Sequence, residues 1–131
     1  MCLGIVVGIR SIAILMLRES VFCGGTEPEG FVRRVAERLL ADFEGSPKGP
    51  RVLDLGCGEG RHCRYLSGLG FRTVGLDLSR IALGRVLELR DSRRASFELV
   101  LGDCLHLPFK EKIFDCVLDV FTLEFVREKA R

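Results

Sequence analysis

The chain has 131 residues, of which 47% are hydrophobic and 29% charged, with a formal net charge of +2. That is one domain's worth of ordinary globular composition, without internal repeats or low-complexity tracts. The positive excess is too small to imply a polyanionic partner, and no nucleic acid is expected.

Residues 1–17 are strongly apolar but interrupted by Arg10, without an initial basic region or a small-residue cleavage site. They make a poor signal peptide, and their apolar runs are too short for a membrane span. An interfacial or partner-binding helix, a non-native extension and a strand-like segment covering the core all remain open. Residues 22–30, with Gly24, Gly25 and Pro28, read as a loop. The division expected is therefore an extension over 1–27 and a domain over 28–131.

Over residues 29–43, Phe31, Val32, Val35, Ala36, Leu39, Leu40 and Phe43 recur at helical spacing, opposite Arg33, Arg34, Glu37, Arg38 and Asp42. Gly45, Ser46 and Pro47 stop this amphipathic helix. A buried strand follows at 51–55, and Gly56, Gly58 and Gly60 then form a tight loop into a helix over 61–69. In a dinucleotide fingerprint, G-x-G-x-x-G, the third glycine would fall where Arg61 stands. Asp54, two residues before the first glycine, would moreover repel a diphosphate. A phosphate-free nucleoside fits better.

A second strand, 72–77, ends in Asp77, and Ser79 caps a helix over 80–90. The basic cluster Arg90, Arg93 and Arg94 reads as a solvated helix end. A third strand, 97–101, leads into Gly102, Asp103 and a loop ending in Pro108 and Phe109. After the charged turn Lys110, Glu111 and Lys112, a fourth strand covers 114–121. Such alternation predicts an α/β fold, a parallel sheet with right-handed crossovers and helices on both faces.

The run D-L-G-C-G-E-G from Asp54, the acid Asp77 twenty-three residues later, and the Gly102-Asp103 segment together resemble the class I S-adenosylmethionine-dependent methyltransferases. The resemblance covers about residues 28–126 and implies a Rossmann-like sheet of order 3-2-1-4, the cofactor half of a seven-stranded fold, with S-adenosylmethionine bound at the strands' carboxyl ends. It implies that Asp54, Gly56, Cys57, Gly58 and Gly60 line the amino-acid end of the cofactor. Asp77 and Leu78 would hold the ribose, with Asp103, Cys104 and Leu105 around the adenine and Asp119 near the methyl donor. A small-molecule acceptor is expected, because the N-P-P-Y and D-P-P-Y tetrapeptides of amino-base methylases are absent.

A non-catalytic cofactor-binding subunit or remnant is the competing reading, since the resemblance stops after the fourth strand. That strand would then form an open apolar edge, inviting self-association or a partner chain. The six cysteines, at 2, 23, 57, 63, 104 and 116, include no C-x-x-C pair, and His62 and His106 are far apart, so no metal site is expected. Scattered thiols suit a reducing cytoplasm. Neither histidine can be assigned as a general base, and His62 reads as a helix-start residue.

Overall fold

The computed structural model describes residues 4–5, 13–17, 30–93, 96–120, 122–123 and 126. The loop expected over 22–30, apart from Gly30, lies outside these residues, as do Arg94 and Phe121. The elements are β1 (Gly4–Ile5), β2 (Ala13–Leu17), α1 (Gly30–Asp42), β3 (Arg51–Leu55), α2 (Arg61–Gly68), β4 (Arg72–Asp77), α3 (Arg80–Arg93), β5 (Glu98–Leu101) and β6 (Cys116–Val120).

The six strands form one sheet of order β1-β2-β6-β3-β4-β5, parallel except for the antiparallel pair β1-β2. Its portion β5-β4-β3-β6 is the expected 3-2-1-4 arrangement. β3 and β4 keep the bounds expected from sequence, because each is an apolar run buried on both faces and closed by a polar or glycine residue. β6 is shorter than expected, beginning at Cys116. Before it, Asp115 is tied to Arg51, its N–H donating to the Arg51 carbonyl at 2.8 Å and its Oδ2 accepting from the Arg51 amide at 2.7 Å.

The edge expected at the fourth strand is not open. β2 pairs with β6 in parallel from Ala13 opposite Cys116 to Leu17 opposite Val120. Of the readings left open for the N-terminal segment, the strand is the one observed for residues 13–17. The backbone of β2 satisfies groups of β6 that would otherwise be unpaired.

α1, α2 and α3 lie on one face of the sheet, and the helical positions after β6 carry Leu123 to the other, so the layers are two-sided as expected. Val32 and Ala36 of α1 and Leu66 of α2 pack with Val52, Cys116, Leu118 and Phe71. Leu83 and Val86 of α3 meet Cys63 of α2, together with Cys57 and Phe97. The reason is topological: two successive right-handed crossovers running in one direction along the sheet put both helices on the same side. On the opposite face Leu53, Leu55, Val74, Leu76 and Val117 are covered by Phe109, Ile113, Phe114, Cys104 and Leu123, so loop side chains and the helical positions after β6 serve as the second layer. Phe109 and Phe114 meet edge to face with centroids 5.0 Å apart. Among the described residues no helix is long and apolar enough to cross a membrane.

Two outcomes follow. Leu15→Pro removes a donor from the β2-β6 ladder and should uncover β6, giving concentration-dependent association in light scattering; a variant that stays monomeric would contradict the pairing. Burial, and then the field of Asp115, pushes the Cys116 thiol up from its ordinary 9.0 to about 12. The folded state therefore holds a proton that the unfolded chain releases near pH 9, so the associated stability is complete below that pH and is lost as pH rises towards 12. Between about pH 8 and pH 10.5 the parent should lose roughly 1–2 kcal/mol more than Cys116→Ala in urea denaturation; equal losses would remove Cys116 as the cause.

Candidate functional site

The loop joining β3 to α2 carries three glycines with positive φ: Gly56 at 63°, Gly58 at 52° and Gly60 at 73°. Their reasons differ. A Cβ on Gly56 would collide with the Thr122 side chain, whose hydroxyl donates to the Leu55 carbonyl at 2.9 Å. A Cβ on Gly60 would press on Val86 of α3 at 2.9 Å. Gly58 alone opens onto space, with no atom within 4 Å of the Cβ position. Two of the glycines therefore serve packing, and the third leaves the backbone accessible.

The loop is anchored to β4. The Cys57 amide donates to the Leu76 carbonyl at 3.0 Å, and the Gly58 amide to Asp77 Oδ2 at 2.8 Å. Asp77 Oδ1 accepts from the Ser79 amide at 2.7 Å, while the Ser79 hydroxyl caps α3 by accepting from the Ala82 amide at 3.1 Å. Ser79 is thus the cap expected from sequence. Asp77 spends two of roughly four lone-pair sites, and the others stay available at its half-buried position. α2 starts without a side-chain cap, so its first amides carry the positive end of the helix towards the loop.

Asp54 is buried deeper than its expected role suggested, at 1% exposure. Its Oδ2 accepts a hydrogen bond from Cys63 Sγ at 3.6 Å and faces His62 Nδ1 at 3.8 Å. The Cys63 thiol is raised well above its ordinary range, first by its hydrogen bond with Cys57, then by burial and by Asp54. Both sulfurs crowd Gly75, where a Cβ would meet them at 2.8 and 2.9 Å. His62 is a helix-start residue as expected, but it is a buried one.

Asp103 follows β5, which is fastened to β4 by the Gly102 amide donating to the Asp77 carbonyl at 3.0 Å. Its Oδ1 accepts from the Leu105 amide at 2.9 Å and its Oδ2 lies 3.2 Å from His106 Nδ1. These two contacts, in that order, hold its carboxyl below the usual range. Asp119, 3% exposed, accepts from the Thr122 and Leu123 amides at 3.0 and 3.2 Å, so it caps the helical turn after β6. The thiol of Cys104 reports how these groups converge. It is raised first by burial, then by Asp103, and further by Asp119 and Asp77, so three of the four predicted acids share one neighbourhood. Asp54, on β3, is not among the groups that act on that thiol.

Apolar side chains near these acids in sequence are exposed: Leu78 is 75% exposed, Ile81 74% and Leu105 58%. Thr122 and His62 are contributors that sequence reasoning did not assign to the site. Nothing in local periodicity marks them, since each acts through a loop or helix end brought in by the topology. Among the described residues no group of acids, cysteines and histidines is arranged to hold a metal ion.

A family model described as a methyltransferase domain matches residues 53–131. The chain belongs to the class I methyltransferases. A demethylmenaquinone methyltransferase of Renibacterium salmoninarum is 36% identical over 91 residues, covering 70% of this chain and 37% of that protein. A chloroplastic tocopherol O-methyltransferase of Arabidopsis thaliana is 32% identical over 112 residues, covering 79% and 32%. Among solved structures, a magnesium protoporphyrin IX methyltransferase of Synechocystis PCC 6803 with bound SAM superposes with a TM-score of 0.55 at 27% identity, covering 66% of this chain and 41% of that one. The chain thus spans less than half the length of these relatives.

The glycines generate a paired outcome. Gly56→Ala forces a left-handed alanine against Thr122 and should destabilise by about 2–4 kcal/mol, whereas Gly58→Ala should cost only about 1–2 kcal/mol, the backbone component alone. Urea denaturation of both variants checks the order, and a reversed order would contradict the assigned packing.

Proposed function

We propose that this chain forms the S-adenosylmethionine-binding portion of a methyltransferase that acts on a small-molecule acceptor. The observation that carries the reading is the Gly58 amide held on Asp77, which sets an accessible loop backbone and a carboxylate with spare acceptor capacity side by side at the ends of two parallel strands. The residues fit the group. Asp77 would accept from the ribose hydroxyls, and Leu78, Ile81 and Leu105 supply apolar cover for an adenine. Asp103 and the Cys104 amide would read the adenine edge. The uncapped first turn of α2 suits the cofactor's carboxylate, and Asp54 its ammonium. No diphosphate is favoured where Asp77, Asp103 and Asp119 converge.

S-adenosylmethionine supplies an electrophilic methyl on a sulfonium sulfur. What the chain's own groups do is hold the donor by both ends and exclude water from it, so that geometry does most of the work. The demethylmenaquinone and tocopherol enzymes support a small organic acceptor.

Calorimetry should show binding of S-adenosylmethionine and S-adenosylhomocysteine but not NAD, and Asp77→Ala should weaken both roughly ten- to a hundredfold. No heat with either compound, or equal affinity in the variant, would sink the reading. Transfer of a labelled methyl to a quinone or tocopherol precursor would extend it to catalysis.

A further inference from the structure

On β3 and α2, two polar groups face each other without meeting. The His62 imidazole is 5% exposed and its Nε2 has no hydrogen-bond partner. Its Nδ1 stands 3.8 Å from Asp54 Oδ2, beyond hydrogen-bonding reach. That same oxygen is served by the thiol of Cys63 at 3.6 Å, a weak donor for a carboxylate that is almost fully buried. A buried acid held this loosely, beside an imidazole nitrogen that stops just short of it, is costly unless some further event brings the two together.

We propose that His62 is a positioning residue for Asp54. When a cationic amine engages the carboxylate, the imidazole, protonated on Nδ1, closes onto Oδ2 and fixes the orientation of the acid, leaving Oδ1 directed to the ligand. His62 stands on the first turn of α2 and Asp54 on β3, so the contact also couples loop to strand at the point where the ligand would sit. Cys63, next along the helix, stays on the carboxylate and limits how far it can swing. The inference rests on the cofactor reading above, in which the amino-acid end of the donor lies at Asp54.

The test uses two ligands that differ at that end. S-adenosylhomocysteine carries the amino-acid group, and 5′-methylthioadenosine keeps the adenosine and sulfur without it. His62→Leu should weaken S-adenosylhomocysteine roughly tenfold or more, leave methylthioadenosine unchanged, and be largely rescued by His62→Asn, whose amide lies near the Nδ1 position. Should the leucine variant not fold, His62→Gln, whose amide reaches the Nε2 position instead, carries the same expected discrimination. Equal weakening of both ligands, or none for S-adenosylhomocysteine, overturns the positioning role. A parent protein that binds neither ligand overturns the cofactor reading instead, and the two failures are therefore distinguishable.

Discussion

The arrangement depends on one short hydrogen bond, from the Gly58 amide to the Asp77 carboxylate. Parallel strands end in loops whose backbone groups have no ladder partner, and each such group must be satisfied or solvated. Here the two neighbouring loops satisfy each other: β3's loop donates to the acid that closes β4, and β4's last carbonyl accepts from the residue that follows β5. Three strand ends are thereby locked in sequence. The acids are delivered to their places by backbone, which is more rigid than any surface side-chain network would be.

That locking has an electrostatic corollary. Asp77, Asp103 and Asp119 come close enough to raise the Cys104 thiol together, yet each is compensated by backbone amides from its own turn. Amide dipoles from the turns themselves thus supply positive partial charge to each of these carboxylates. The rim consequently favours cations over anions. Under the proposed chemistry such a field also stabilises the donor's ground state, so rate must come from alignment more than from charge.

Much of the fold was legible because burial writes itself into strands as mainly apolar segments bounded by polar or glycine residues. Residues 51–55 and 72–77 are such segments, and their bounds agree between sequence and structure. The amphipathic stripe of α1 and the serine cap of α3 were legible for equally local reasons. What was not legible depends on contacts far apart in the chain. Thr122 behind Gly56, Val86 behind Gly60 and the thiols behind Gly75 make glycine necessary through neighbours that no local pattern names. Asp54 read as a ligand acid and is one of the most deeply buried side chains, because the helix that covers it brings His62 and Cys63 along. The edge at β6 could not be foreseen either, since an apolar run such as residues 13–17 is compatible with strand, helix or extension alike.

The pairing of β2 with β6 joins positions about a hundred residues apart, while β3 and β4 are about twenty apart. Loop-closure entropy grows slowly with separation, but nothing can pair before both segments exist. As the chain leaves the ribosome, residues 13–17 emerge about a hundred residues before their partner. An apolar segment must therefore wait while the intervening residues are made before its hydrogen bonds can form, which makes it a natural target for chaperones during translation.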